Sequence, residues 1–317
     1  MPPTPTSTPH HWTAPDGETL PYSFWDAGLM PGLLPDQHPR AVLVAIHGLS
    51  GAALDFEPLA AHLARHRVVT FAPELRGQGN DPRPARRGDL ARLEDWFADL
   101  RAFLALVRSR YPDEPLYLYG ESMGAALLTR FLAQASGRDL PDGLILASPV
   151  VVVPGKPGWW QRTFFRFLLW ARPTHRIDVR KITQRDRDDD PSKWVTREEA
   201  HRTWFASAPH KLDSYTVRFF QCLFDLIGGC LEAAPQVKVP VLIVYAANDV
   251  FIPPARVEEF FGRLGSHEKE FHFFPDSYHL LLHDHDRAQV LERIEEWLLR
   301  RIAQTTRPRT TEERLAL

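Results

Sequence analysis

The chain has 317 residues, of which 44% are hydrophobic and 25% are charged, with 38 Lys and Arg against 40 Asp and Glu. These proportions are those of an ordinary globular protein, which excludes disordered, collagen-like and coiled-coil classes. The formal net charge of −2 excludes the strongly basic domain that nucleic-acid binding would require. Two cysteines, Cys222 and Cys230, cannot form a disulfide framework, so we expect buried thiols in a reducing compartment.

No segment has the roughly 18–20 consecutive apolar residues that a membrane-spanning helix needs. The proline-rich start, MPPTPTSTPHHW, has neither the basic nor the apolar region of a secretory signal. We therefore expect a cytoplasmic protein, and peripheral contact with a membrane stays open. We expect no nucleic-acid partner, and the composition leaves the oligomeric state undecided.

Short apolar runs alternate with amphipathic stretches along most of the chain. Ala41–Ile46 is an unbroken apolar run, which is typical of a strand covered on both faces of a parallel sheet. A helix is predicted over Ala125–Gln134, and Val290 to Leu298 shows helical spacing. Further strands are predicted at Thr19–Trp25, Val68–Ala72, Leu116–Tyr119, Leu144–Ala147, Val241–Ala246 and Phe271–Phe274. The alternation predicts an α/β fold with a mostly parallel sheet and helices on both faces.

The alternation of strands and helices breaks between residues 155 and 235. This segment shows no obvious pair of strands and holds five of the nine tryptophans. We interpret it as a helical cap, or lid, inserted into a core that is formed by residues 1–154 and 236–303. Residues 304–317 are predicted to be a flexible C-terminal tail.

The sequence GESMG places Ser122 between a predicted strand and a predicted helix. In this context G-x-S-x-G indicates a nucleophile on a sharp, strained turn. Gly120 and Gly124 lack Cβ atoms, so neighbouring backbone can approach closely. A helix N-terminus at this point would stabilise developing negative charge. Ser122 is therefore the predicted nucleophile.

A serine hydroxyl is a weak nucleophile and needs a base. In this architecture the base is expected after the last strand, and His279 lies just beyond the predicted strand Phe271–Phe274. His283 and His285 are nearby rivals for the role. We assign the base to His279.

The imidazole needs a carboxylate that fixes its tautomer and stabilises its charged form. Asp249 ends the apolar run VPVLIVYAAND, where the carboxyl end of a parallel strand faces the ligand crevice. The chain order Ser122, Asp249, His279 is an established order of nucleophile, acid and base around a G-x-S-x-G turn. Asp225 and Asp276 are the fallback candidates.

Acyl transfer also needs backbone donors for the oxyanion. One donor is expected to be the N–H of Met123, the residue after the nucleophile. The second is expected in the loop HGLSG that follows the run Ala41–Ile46, where Leu49 N–H is the candidate. Because only backbone atoms take part, the side chains at these positions are free to vary.

These motifs together resemble those of the α/β-hydrolase superfamily, and within it the monoacylglycerol lipase and lysophospholipase group, also described as serine aminopeptidase-like hydrolases. The matching pieces are HGLSG, PELRGQGND, GESMG, YAANDVFIPP and SYHLLLHD, from about Arg40 to the final helix. The resemblance implies an eight-stranded, mostly parallel sheet, a helical lid over an acyl pocket, and ester hydrolysis without a cofactor or metal. Glu74 departs from the family pattern, which commonly has Asp before R-G-x-G.

The cap segment informs the substrate class. It contains a dense aromatic stretch, and residues 156–202 carry 12 basic and 7 acidic residues. Such a helix can pack on the body and line an acyl pocket, or lie at a membrane interface. The residues predicted to contact the substrate are Trp159, Trp160, Phe164 and Phe167. We expect an apolar acyl ester, of the monoacylglycerol or lysophospholipid type, and faster turnover of medium or long acyl chains than of acetyl esters.

Three rival functions use the same residues differently. An acyltransferase would pass the acyl group to an alcohol instead of water. A peptidase would need carboxylates in the cap to hold the substrate amine, and the basic cap argues against it. A non-catalytic binding protein of the same fold would be expected to have a damaged triad, which this sequence does not show.

Overall fold

The computed structural model describes residues 8–26, 38–153, 159–178 and 195–305. Most of the predicted tail 304–317, and parts of the cap segment, therefore lie outside the described residues. The strands are β1 (Thr8–Thr13), β2 (Thr19–Trp25), β3 (Ala41–Ile46), β4 (Val68–Pro73), β5 (Leu116–Glu121), β6 (Gly143–Ala147), β7 (Arg176–Asp178), β8 (Ser214–Thr216), β9 (Val241–Ala246) and β10 (Lys269–Phe274). The helices are α1 (Glu57–Ala64), α2 (Leu93–Arg110), α3 (Met123–Leu132), α4 (Trp159–Ala171), α5 (Glu199–Ala206), α6 (Val217–Gly228), α7 (Cys230–Ala233), α8 (Pro254–Arg263) and α9 (Arg287–Thr305).

Eight of these strands form one sheet, in the order β1-β2-β4-β3-β5-β6-β9-β10. The hairpin β1–β2 is antiparallel and joins β4 in antiparallel fashion, and all other neighbours are parallel. The eight-stranded, mostly parallel sheet that the sequence motifs implied is thereby confirmed. The carboxyl ends of β3, β5, β6, β9 and β10 meet at one edge.

The central strands are buried along their whole length because helices cover both faces of the sheet. On one face, alternate residues such as Val42 and Leu118 pack with α2, α3, α6 and α8. On the other face, Leu43 and Tyr119 pack with α1 and α9. Two apolar layers therefore hold the strand ends in fixed relative positions.

The segment between β6 and β9 contains helices α4 to α7, as expected for an insertion. The expectation that it holds no strand pair is wrong. Arg176–Asp178 pairs in antiparallel fashion with Ser214–Thr216, with Ile177 opposite Tyr215. Each strand has only three residues, too few to show an alternating pattern, and the partners are far apart in the sequence. Both cysteines are buried free thiols.

Thr216 joins the strand pair to α6 and to the core. Its side chain accepts a hydrogen bond from Phe219 N–H at the start of α6 (3.1 Å), and its own N–H donates to Gly88 O (2.8 Å). These two hydrogen bonds help to fix the start of α6 relative to the core. None of the helices in the described part of the chain is both long and apolar enough to cross a membrane.

The close seating of α3 on β3 generates a stability prediction. A Cβ on Gly124 would lie 2.1 Å from Ile46 O, so Gly124→Ala must push the helix off the strand. We expect a loss of about 3 kcal/mol or more, at the upper end of overpacking costs. The control is Gly262→Ala in α8, where nothing lies within 4 Å of the added carbon and alanine favours the helix. Urea unfolding of the two variants checks this, and equal stabilities would contradict the packing argument.

Candidate active site

Ser122 lies at the turn between β5 and α3. Its backbone has φ 54° and ψ −115°, a strained conformation that persists only where the surrounding structure enforces it. Its N–H donates to Ala147 O on β6 (2.9 Å). A Cβ on Gly120 would lie 2.8 Å from Ala125 N, so glycine is needed for the close approach of strand and helix. These contacts hold Ser122 in place. Because the residue is only partly buried, it remains accessible to a substrate.

The structure brings Ser122, His279 and Asp249 into one chain of hydrogen bonds. His279 Nε2 lies 2.9 Å from Ser122 Oγ, and His279 Nδ1 lies 2.7 Å from Asp249 Oδ2. A carboxylate only accepts, so Nδ1–H donates to Asp249 and leaves Nε2 free to accept from the serine hydroxyl. This is the tautomer that a general base for Ser122 requires.

Two neighbouring strand ends supply the acid and the base. Asp249 follows β9, and its Oδ1 accepts from Phe251 N–H (2.8 Å), which orients the carboxylate. His279 follows β10, and Asn248 N–H donates to Ser277 O (3.1 Å) to join the two loops. The fallback carboxylates lie elsewhere: Asp276 is exposed, and Asp225 accepts from Gln221 on α6.

The pKa of His279 reflects two opposing effects. Burial of the ring favours the neutral form and would lower the pKa, but the charge of Asp249 and its hydrogen bond to Nδ1 outweigh burial. The net direction is upward from the ordinary value. Asp249 therefore stabilises the imidazolium that proton transfer from Ser122 would create.

The rival histidine His283 has a different set of contacts. Its Nε2–H donates to Asp55 O (2.8 Å), and its ring stacks on that of His201 with 4.0 Å between ring centroids. Burial lowers the pKa of His283 to about 3, with a smaller contribution from His201. Of the three candidate bases, His279 is the one whose ring nitrogen contacts Ser122 Oγ.

The loop after β3 packs directly against the nucleophile. A Cβ on Gly48 would lie 3.1 Å from Ser122 Cβ and 3.6 Å from its Oγ. His47 links this loop to the segment after β4. Its Nδ1–H donates to Gly48 O (2.8 Å), and its Nε2 accepts from Leu75 N–H (3.1 Å). From the inserted segment, Tyr215 contacts the loop through a hydroxyl pair with Ser50 (2.6 Å).

Of the two predicted oxyanion donors, Met123 directly follows the nucleophile, and Leu49 follows Gly48, which packs against it. Met123 is the first residue of α3, where a backbone N–H has no acceptor within the helix. Leu49 directly follows Gly48 and packs against the core that includes α2 and α3. Donation from these two N–H groups to an oxyanion stays a prediction.

The four aromatic residues predicted to contact substrate lie on the exposed side of α4. Trp159, Trp160, Phe164 and Phe167 are 81%, 60%, 61% and 59% exposed. The side of α4 that faces the body presents Phe165 instead, which contacts Phe224 on α6 with 6.1 Å between ring centroids. The four exposed aromatic residues form an outer apolar surface in this structure, and their role as substrate contacts stays a prediction.

Three buried carboxyl groups near the nucleophile were not predicted as a group. Glu121 precedes Ser122, Asp55 follows the loop after β3, and Glu74 follows β4. The only signal in the sequence was an acid at the end of an all-apolar strand, as at Glu121. Among the described residues, no group of three or more His, Cys, Asp or Glu side chains is arranged to hold a metal ion.

Burial shifts the proton affinity of these three groups. It raises the pKa of Glu121 to about 7, and the charge of Asp55 adds to the effect. Burial likewise raises the pKa of Asp55 and of Glu74 to about 7. A neutral carboxyl costs less to bury than a carboxylate, so these groups favour the protonated form near the active site.

The chain is similar to known proteins along most of its length. The serine aminopeptidase S33 family matches residues 37–286. The putative monoglyceride lipase of Schizosaccharomyces pombe is 23% identical over 267 residues, which cover 82% of this chain and 68% of that protein. The monoglyceride lipase of Rattus norvegicus is 23% identical over 308 residues, which cover 95% and 94%. A soluble variant of the Saccharomyces cerevisiae monoglyceride lipase, solved with a substrate analog, has a TM-score of 0.77 at 20% identity, with 94% and 96% coverage.

The sheet order, the strained turn at Ser122 and the likeness to solved structures define an α/β-hydrolase. Within that class, the chain belongs to the serine aminopeptidase S33 family, because the family matches most of its length. The resemblance inferred from the motifs is thereby confirmed, and the chain is a hydrolase enzyme.

The raised pKa of Glu121 predicts a stability that depends on pH. The folded-state pKa of about 7 exceeds the ordinary value of 4.5, so this group's stabilising contribution is complete below about pH 4.5 and is lost as pH rises through 7. Because Glu121→Gln cannot ionise, it does not lose this contribution. Its Tm relative to that of the wild type should therefore increase by on the order of 5 °C when the pH is raised from 5 to 8.

Thermal unfolding at the two pH values checks this prediction. Glu292→Gln, at an exposed position on α9, is the matched control and should follow the wild type at both. A Tm difference between Glu121→Gln and wild type that does not change with pH would show that Glu121 is not protonated in the folded state.

Proposed function

We propose that the chain is a serine carboxylic-ester hydrolase that works through an acyl-enzyme on Ser122. One observation carries the proposal: His279 lies 2.9 Å from Ser122 Oγ and 2.7 Å from Asp249 on its other side. A nucleophile in contact with a base, and that base in contact with a carboxylate, is the arrangement that acyl transfer needs.

The proposed reaction has two halves. Ser122 Oγ attacks the ester carbonyl while His279 Nε2 takes its proton, and the N–H groups of Leu49 and Met123 stabilise the oxyanion. The C–O bond to the alcohol then breaks, and the imidazolium returns the proton to the leaving alcohol. Water, deprotonated by His279, attacks the acyl-enzyme and releases the acid and free Ser122.

Apolar acyl esters are the proposed substrates, of the monoacylglycerol or lysophospholipid type. The relatives named as monoglyceride lipases support this class, as does the aromatic segment inserted between β6 and β9. We propose that this segment, residues 155–235, acts as a lid over the site. Two alternatives to an ester hydrolase are an acyltransferase with the same triad and a protein that binds ligands without turnover.

Replacement of the nucleophile tests the proposal. Ser122→Ala should lower kcat on p-nitrophenyl esters by about 10⁴-fold or more, because only binding and the oxyanion donors remain. It should also abolish covalent labelling by a fluorophosphonate probe. Ser109→Ala, on the exposed surface of α2, is the control and should retain full activity and labelling. Undiminished hydrolysis by Ser122→Ala would refute the assignment.

The substrate panel separates the alternatives within the same experiment. Monoacylglycerols, lysophospholipids and p-nitrophenyl esters of two to twelve carbons should be hydrolysed, with medium and long chains ahead of acetyl. Acyl transfer to added glycerol in preference to water would indicate the acyltransferase. The absence of both fluorophosphonate labelling and ester turnover would indicate the binding protein. Cleavage of aminoacyl amides, added to the same panel, without cleavage of any ester would indicate a peptidase.

We also propose that α4 contacts a lipid surface. Its sequence, WWQRTFFRFLLWA, contains no acidic residue, and Trp159 and Trp170 are 81% and 80% exposed. Arg166 and Arg172 lie on or beside this helix. Exposed aromatic rings with neighbouring cations suit the headgroup region of a membrane with anionic lipids.

Vesicle flotation tests this contact. The wild type should float with vesicles that contain phosphatidylglycerol, and the double variant Trp159→Ser, Trp170→Ser should bind at least about tenfold more weakly. Phe273→Ser, which removes an exposed aromatic residue from the edge strand β10, is the matched control and should float like the wild type. Equal flotation of all three proteins would show that α4 does not make the contact.

A further inference from the structure

The loop that carries His279 is held on both sides of the catalytic candidate. This histidine loop spans residues 275–286, between β10 and α9. On one side of His279, Tyr278 N–H donates to Asp284 Oδ2 (2.7 Å). On the other side, Leu280 N–H donates to Val195 O (2.8 Å), which belongs to the inserted segment. The backbone on the two sides of His279 is therefore held from within the loop and, through Val195, from outside it.

Arg197, two residues after Val195, joins the two carboxylates that organise the histidine loop. Its backbone N–H and its Nε both donate to Asp284 Oδ1, at 2.9 and 3.2 Å. Its Nη2 donates to Asp286 Oδ2 (2.9 Å), the oxygen that also accepts from Ser277 Oγ (2.7 Å). One guanidinium thus bridges the acceptors that hold the two residues before His279.

The network is largely shielded from solvent. The side chain of Asp284 is fully buried and that of Arg197 is 27% exposed. Thr196, which lies between Val195 and Arg197, donates from its Oγ1 to His283 O (2.5 Å) in the histidine loop. Removing one partner of a buried, hydrogen-bonded ion pair leaves the other charge without compensation, so the loop would have to rearrange.

We propose that Arg197 is a positioning residue for the ester hydrolysis proposed above, and that it keeps His279 Nε2 within hydrogen-bond distance of Ser122 Oγ. The inference rests on that proposed function. Arg197 does not touch the reacting atoms; it acts through Asp284, Asp286 and the backbone of Tyr278. The inserted segment is thereby coupled to the base of the reaction, since Val195, Thr196 and Arg197 all belong to it.

A displaced base slows the chemical step more than it weakens substrate binding. Misplacement of a catalytic group by about 1 Å can cost on the order of 10²-fold in rate. Arg197→Ala should therefore lower kcat by about tenfold or more on a p-nitrophenyl ester, with KM within about twofold of the wild type. Arg197→Lys should have an intermediate kcat, because a single ammonium cannot bridge both carboxylates as the guanidinium fork does.

Arg218 provides a matched control. It also belongs to the inserted segment and pairs with a core carboxylate, since its Nε donates to Asp89 Oδ1 (2.7 Å), and its side chain is 33% exposed. Asp89 lies outside the histidine loop. Arg218→Ala should therefore retain kcat and KM within about twofold of the wild type, even where its Tm falls as much as that of Arg197→Ala.

The outcomes are distinct. An unchanged kcat in Arg197→Ala, or an equal loss in Arg218→Ala, would overturn the inference. Should Arg197→Ala not fold, Arg197→Lys decides the question: a kcat at least about threefold below that of the wild type supports it, and a wild-type kcat refutes it. If the wild type hydrolyses none of the esters, the proposed function fails. If the wild type is active and Arg197→Ala is equally active, only the inference about Arg197 fails.

Discussion

The proposed chemistry of this chain depends on the strained backbone at Ser122. At φ 54° the residue would relax if it were free, and it is held because Gly120 and Gly124 let α3 approach the ends of β3 and β5. The turn aims the hydroxyl at the edge where the loops after β9 and β10 place Asp249 and His279. Moving any of these strand ends would break contacts of 2.7 and 2.9 Å, so the parallel sheet is itself part of the site.

In its described part, the inserted segment contacts two loops of the candidate site. Tyr215 contacts Ser50 in the loop that carries one predicted oxyanion donor. Arg197 contacts Asp284 and Asp286 in the loop that carries the predicted base. Its helix α4, by contrast, exposes its aromatic side to the outside. The segment therefore touches both loops while its outer surface remains available to a lipid surface.

Features with a local signal were predictable from the sequence. The run Ala41–Ile46 gave a fully buried strand because an unbroken apolar stretch suits a two-sided environment, and GESMG marked the turn because its glycines are required where they stand. Ser122, Asp249 and His279 each follow an apolar run that predicts a strand, so all three were expected at strand ends. The structure brings the three side chains together. Each of these inferences depends on a few adjacent residues.

Features that depend on distant partners could not be predicted. The strands Arg176–Asp178 and Ser214–Thr216 are too short to show a period, and they pair only because the core brings them together. Arg197 resembled any other surface cation of a basic segment, since its two partners lie almost ninety positions away. The raised pKa of Glu121 follows from burial, which the sequence of a strand end does not specify.

The central claim is that an acyl group is carried on Ser122, and trapping that intermediate tests it most directly. The wild-type chain is mixed with a p-nitrophenyl ester, quenched in acid before turnover is complete, digested, and analysed by mass spectrometry. The account predicts the added mass of the acyl group on the peptide that contains Ser122. Ester hydrolysis with the acyl group on another residue, or with no acylated peptide at all, would contradict it.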